Sequence, residues 1–266
     1  MEIILNSGGI LGEYIERLAA ILYPPICLGC KKIVSAHGTV CPDCWKDLQF
    51  ITRPYCPVMG VPFHHDMGDG FLSGEAIQTS PPFSRIRSAV VHKGLARILA
   101  IRLKYSDHIE LARFMANWMI LAGREVINDC DVIIPIPLHF RRFFRRRYNQ
   151  SAELARYIAV IRKKPFKPGW LTRCRHTRPQ VGLSSRERKL NVQGAFKVPK
   201  EVKKHIKGCS ILLIDDVLTT GVTVTAAAAI LKRAGARQVD ILTFSRVLKN
   251  DPIFPNLGEA TNNVSY

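Results

Sequence analysis

Residues 211–223 read ILLIDDVLTTGVT: four aliphatic residues, two carboxylates, then a short polar loop with one glycine. An uninterrupted aliphatic run of this length suits a strand buried on both faces, as in a parallel sheet covered by helices. Beyond it the spacing changes to a helical one, and Gly235 supplies a stop. The reading is therefore a strand over Ile211–Ile214, a loop over 215–220, a helix from Gly221 to Ala234 and a second strand over Val239–Phe244. This is a βαβ unit, and its loop belongs at the carboxyl end of the strands, where open α/β sheets bind ligands.

A loop that feeds a helix offers unpaired backbone amides and the positive end of the helix dipole, a cradle for phosphate. Gly221 lets the backbone approach an anion, and Thr219, Thr220 and Thr223 add hydroxyl donors. Asp215 and Asp216 repel phosphate. They can accept hydrogen bonds from sugar hydroxyls beside it, or help to hold a hard cation. A ligand carrying both ribose and phosphate satisfies both halves of the motif. Two other nucleotide-binding designs fail on spacing. No GxxxxGK[ST] occurs, and the nearest approach to a dinucleotide fingerprint, GDGFLSG at 68–74, has the wrong glycine spacing and context.

Working outward, the alternation of apolar strand-length runs with amphipathic stretches from Arg85 to Val247 predicts an α/β domain over 81–248 with a mostly parallel sheet. Ser106 or Asp107 can cap a helix that carries Leu111, Met115, Trp118 and Ala122 on one face and stops near Gly123. Val132–Pro137 reads as a strand whose prolines suit an edge or an end, and Ser151–Ile161 as a helix. Between them runs an arginine-rich loop, Arg141 to Arg147, at the same sheet edge as the cradle. Residues 249–266 are polar and aperiodic, which predicts a flexible tail. No internal repeat is visible.

With 266 residues, 47% of them hydrophobic, the chain can bury a core. No apolar run reaches the roughly 18 residues of a spanning helix, and the N-terminal run, broken by Glu13, Glu16 and Arg17, reads as an amphipathic helix. Without a basic leader the expected location is the cytoplasm. A net charge of +18 calls for anionic partners, whether phosphorylated small molecules, nucleic acid or an anionic membrane surface.

Five of the eight cysteines fall in residues 1–80, a compositionally separate module. Cys27-Leu-Gly-Cys30 and Cys41-Pro-Asp-Cys44 are two CxxC knuckles ten residues apart, the spacing of a structural four-thiolate zinc site. Where a third knuckle would follow, the sequence is Cys56-Pro-Val-Met59, so a second site is not expected. His64 and His65 read as ordinary surface residues rather than ligands with Cys56. Cys130, Cys174 and Cys209 read as packed thiols.

The stretch 211–223 resembles the fingerprint of type I phosphoribosyltransferases, with Val222 standing between Gly221 and Thr223. PIPLHFRRFFRRRYNQSAELA (135–155), LKY (103–105) and TRPQVGLSSRERKLNVQGAF (177–196) are similar to segments of the ComF family, so the resemblance covers nearly the whole chain. Arg147 departs from the glycine expected there. That family is associated with competence for DNA uptake and joins a cysteine-rich module to a phosphoribosyltransferase domain. The resemblance implies that Leu218, Thr219, Thr220, Gly221, Val222 and Thr223 hold the 5′-phosphate of phosphoribosyl pyrophosphate. It further implies that Asp215 and Asp216 hold the ribose, that Lys104, Arg142 and Arg146 face the pyrophosphate with Mg²⁺, and that segment 171–190 forms a flap. Two functions follow from the reading: phosphoribosyl transfer to an acceptor the sequence does not reveal, or a non-catalytic role in DNA uptake, with single-stranded DNA or the uptake machinery as partner and a regulatory or vestigial nucleotide site.

Overall fold

The computed structural model describes residues 23–68, 70–105, 109–138, 148–174 and 194–248. The N-terminal helix, the caps at 106 and 107, Arg141–Arg147, the flap beyond Cys174 and the tail lie outside these residues. The chain divides into two compact units between Asp47 and Leu48.

In the second unit, four strands form a parallel sheet in the order β1-β6-β5-β2. They are β1 (Arg85–Val91), β2 (Val132–Pro135), β5 (Ser210–Leu218) and β6 (Gln238–Arg246). A separate antiparallel pair joins β3 (Thr172–Arg173) to β4 (Phe196–Lys197). The proline-bearing strand β2 lies at the sheet edge, where a missing amide costs no ladder bond. Both faces of the sheet are covered, which explains the continuous aliphatic runs. Helices over Glu110–Ala122 and Gln150–Ile161 bury Leu111, Met115, Met119, Leu154 and Ile158. The helix over Val222–Arg233 buries Val224, Ala227, Ala228 and Leu231 in a cluster with Ile211, Leu213, Val239 and Ile241. Gly123 stops the first of these helices, its amide donating to Met119 O at 2.8 Å. No helix among the described residues is long and apolar enough to cross a membrane.

One boundary differs from expectation in a way that matters for the site. β5 does not end at Ile214 but runs on through Asp215, Asp216 and Val217 to Leu218, because β6 stays paired alongside it as far as Leu218↔Arg246. The aliphatic run marks where both faces are covered, not where pairing stops. The two carboxylates are consequently fixed on a strand rather than carried on a loop, and the loop shrinks to Thr219-Thr220-Gly221. Of the isolated cysteines, Cys130 is buried, but Cys209 is half-buried and Cys174, just past β3, is exposed.

Candidate functional site

The first unit is organised by its thiols. Cys27 N–H donates to Lys32 O at 2.7 Å and Lys31 N–H to Cys27 O at 3.0 Å, which closes a tight knuckle with Lys31 at φ 65°. Cys41 precedes a short helix, Pro42–Lys46, that brings Cys44 back beneath it. The Sγ atoms of Cys27, Cys30, Cys41 and Cys44 all lie within 4.8 Å of one another. Tetrahedral zinc with Zn–S of about 2.3 Å requires sulfur separations of about 3.8 Å, so the donors fit the ion closely. Burial alone would raise the Cys27 thiol, yet amide donation from Cys30, Cys41 and Gly29 brings it down to about 6, while burial and the neighbouring thiols push Cys44 up, so without an ion the charge settles on Cys27 rather than on all four sulfurs.

In the second unit the site forms where β5 meets its helix. Gly221 occupies the N-cap at φ 72°, a left-handed conformation that favours glycine, and being a glycine it supplies no side-chain cap of its own. The amides of its first turn have no acceptor within the helix. Among the described residues a Cβ on Gly221 would meet only Leu218 Cδ1, at 3.9 Å, so these residues leave the space in front of the loop open. Thr220 Oγ1 is buried and has no hydrogen-bond partner among the described residues. A donor left without a partner beside a helix N-terminus is an arrangement that can receive an anion.

The carboxylates are held differently from each other. Asp215 Oδ1 accepts from Ser151 Oγ at 2.9 Å and from Asp216 N–H at 3.0 Å. Burial, then the adjacent Asp216 charge, pushes Asp215 up to about 7. Asp216 Oδ1 accepts from Val217 N–H at 2.9 Å, while its Oδ2 pairs with Lys104 Nζ at 2.7 Å. Lys104 and Asp216 are largely enclosed, with side-chain exposures of 24% and 11%, so the pair belongs to the buried regime rather than the weak surface one. Lys104→Met is expected to lower stability by about 3 kcal/mol, measured by urea denaturation, because it strips the ammonium from an enclosed carboxylate.

Sequence reasoning passed over four residues here. Ser151 orients Asp215. Asn149 caps its helix by accepting from Ser151 N–H at 3.1 Å and donates to Ile136 O at 3.0 Å. Tyr148 OH donates to Leu103 O at 2.5 Å, beside Lys104. These bonds fix the point where the chain returns from the arginine-rich segment next to Lys104. His92 Nδ1 bonds Ser245 Oγ at 2.8 Å, and burial, then the Lys104 charge, lowers it to about 4, so it is neutral at physiological pH. The NQS run at 149–151 was the available signal, as an N-cap followed by a helix; His92 carried none. Leu218 closes β5, Thr219 is exposed, and Val222 and Thr223 open the helix. Arg142 and Arg146 lie outside the described residues. His64 and His65 are exposed.

Comparison with known proteins agrees with this division of labour. A double zinc ribbon domain matches residues 18–75 and a phosphoribosyl transferase domain matches residues 136–251. The chain is 30% identical over 231 residues to DNA utilization protein YhgH of Salmonella typhimurium, covering 85% of this chain and 98% of that protein. It is 25% identical over 226 residues to competence protein F of Haemophilus influenzae, covering 83% and 96%. Among solved structures, the glutamine phosphoribosylpyrophosphate amidotransferase of B. subtilis aligns with 53% of this chain and 30% of its own, at 18% identity and a TM-score of 0.36.

Proposed function

Because this chain belongs to the ComF family, we propose that its second unit binds phosphoribosyl pyrophosphate and transfers the phosphoribosyl group to an acceptor. The observation that carries this reading is the helix end opened by Gly221 with the orphaned Thr220 hydroxyl beside it, set directly after a strand that carries two carboxylates near its end. In this reading the amides and hydroxyls of Leu218–Thr223 take the 5′-phosphate. Asp215 and Asp216 accept from the ribose hydroxyls and tighten as C1 becomes oxocarbenium-like, which is where negative charge lowers the barrier. Lys104, paired with Asp216 in the resting site, turns to the departing pyrophosphate, joined by Arg142 and Arg146. The carboxylates supply hard oxygens suited to Mg²⁺, which, bound with the pyrophosphate, neutralises the leaving charge. Ser151 keeps Asp215 aimed, and neutral His92 adds no competing charge beside Lys104.

Gly221→Ala probes the cradle. The added methyl projects into open space, so the fold loses only about 1 kcal/mol from the left-handed backbone, while the phosphate loses its close approach. Calorimetric titration with phosphoribosyl pyrophosphate and Mg²⁺ is expected to show affinity reduced at least about tenfold, roughly 1.4 kcal/mol. Unchanged affinity would put the phosphate elsewhere.

A net charge of +18 and the names of the relatives favour one alternative, a non-catalytic accessory to DNA uptake. Mg²⁺-dependent release of pyrophosphate separates the two. Wild type is expected to release it, and the Asp215→Asn, Asp216→Asn double variant to lose about a thousandfold in rate while retaining most binding. Wild type that releases none across a broad acceptor screen, yet binds single-stranded DNA with affinity falling steeply in salt, would establish the accessory role.

A further inference from the structure

The backbone contains a repeat of which the sequence shows one trace, Cys56 where a third knuckle would begin. Twenty-nine residues beyond the Cys27 knuckle, the same bonds recur: Cys56 N–H to Val61 O at 2.8 Å, Gly60 N–H to Cys56 O at 2.8 Å, and Phe63 N–H to Pro54 O at 2.9 Å. These match Cys27 to Lys32, Lys31 to Cys27, and Val34 to Pro25 in the first copy. The antiparallel bridge Ile26↔Ile33 returns as Tyr55↔Pro62, and the left-handed Lys31 returns as Gly60 at φ 60°. After three extra residues the correspondence resumes at an offset of 32. Ser73 precedes the helix Gly74–Gln78 as Cys41 precedes Pro42–Lys46. Ser73 N–H reaches Cys56 Sγ at 3.4 Å, as Cys41 N–H reaches Cys27 Sγ at 3.2 Å.

This register assigns a counterpart to every zinc ligand. Cys27 corresponds to Cys56, Cys30 to Met59, Cys41 to Ser73 and Cys44 to Ala76. One thiol remains; the others have become a thioether, a hydroxyl and a methyl that offers no donor at all, a set that does not fit tetrahedral zinc. Other contacts occupy the copy instead. Cys56 and Met59 are buried in the cluster that includes Ile86 and Ile241, with Ala76 packed against it. The three carbonyls between Cys56 and Gly60 are bonded from the sheet strands: Pro57 O by Arg87 Nη1 at 3.0 Å, Val58 O by Ile86 N–H at 2.8 Å, and Met59 O by Arg246 Nη1. A Cβ on Gly60 would overlap the Ile86 carbonyl, so the knuckle is seated directly on the edge strand.

We infer that residues 54–78 are a metal-free zinc ribbon, held by the sheet in place of the ion, and that the protein carries a single zinc although its family model describes two ribbons. The register also predicts how to restore the lost site. Met59→Cys, Ser73→Cys and Ala76→Cys together with the native Cys56 recreate four thiolates on a zinc-ribbon backbone. Elemental analysis of full-length protein purified in zinc is expected to give one zinc per chain for wild type, one for Cys56→Ser and two for the triple variant. Two zincs in wild type, a loss of zinc on Cys56→Ser, or a folded triple variant that still holds one would each overturn the inference. If the triple variant does not fold, wild type and Cys56→Ser decide it.

Discussion

Replacing Asp215 by asparagine will stabilise the protein while inactivating it. Asp215 sits at the end of a buried strand with Asp216 as its neighbour, and its carboxyl is pushed up to about 7 from an ordinary value of 3.8. A group whose folded value is raised binds its proton more tightly in the native state. Stability therefore falls as pH rises from about 4 to about 7, and above that the full cost of the buried charge is present. A shift of about three units corresponds to at most about 4 kcal/mol. Asparagine keeps an Oδ1 that can accept from Ser151 Oγ and the Asp216 amide, and removes the charge. At pH 8 the variant is expected to gain a part of that, read as a Tm raised by a few degrees. The gain should shrink towards zero as pH falls below about 3, where wild type holds its proton in both states. Pyrophosphate release should fall by orders of magnitude over the same range. A stabilised, inactive variant is the signature of a residue kept for chemistry at the expense of the fold. Equal or lower Tm at pH 8 would show that the charge is accommodated without cost.

How far the sequence could be read follows from where periodicity carries information. β5, its helix and β6 were legible because an aliphatic run, a glycine-bearing loop and a helical stripe occur in order. The extension of β5 to Leu218 was not, since strand pairing depends on β6 lying alongside, and carboxylates at a strand end read locally as a loop. The place of the loop at the helix N-terminus was readable from Gly221 and the threonines. Ser151, Tyr148 and His92 became visible only when the fold brought segments 64, 45 and 153 positions apart into contact. The ribbon repeat showed only its first cysteine, Cys56, for a different reason. Backbone bonds define it, while the side chains that would announce it have changed in three of four places, and an insertion shifts the register by three.

Removing zinc will unfold the first unit and leave the second intact. Among the described residues of the first unit, the only buried apolar side chains are Cys27 and Cys41, while Tyr23, Ile26, Ile33 and Trp45 are exposed. Two cysteines cannot offset the backbone entropy of ordering such a segment, at about 1–2 kcal/mol per residue. Structural zinc can, contributing about 10–16 kcal/mol in small four-ligand modules at neutral pH. The second unit has its own core around Leu213, Ile241 and Phe244, and its ribbon copy is secured through Arg87, Ile86 and Arg246. Hydrogen exchange after treatment with a strong chelator, or in Cys41→Ser, measures both outcomes at once. The amides of Cys27, Leu28, Lys31 and Val34, all bonded in this fold, are expected to lose their protection. Those of β5 and β6 should keep theirs, as should Cys56 and Gly60 in the metal-free copy. Protection of the first unit that survives chelation would mean that some force besides the metal holds it. Loss at Cys56 and Gly60 alone would mean that the second ribbon still depends on an ion.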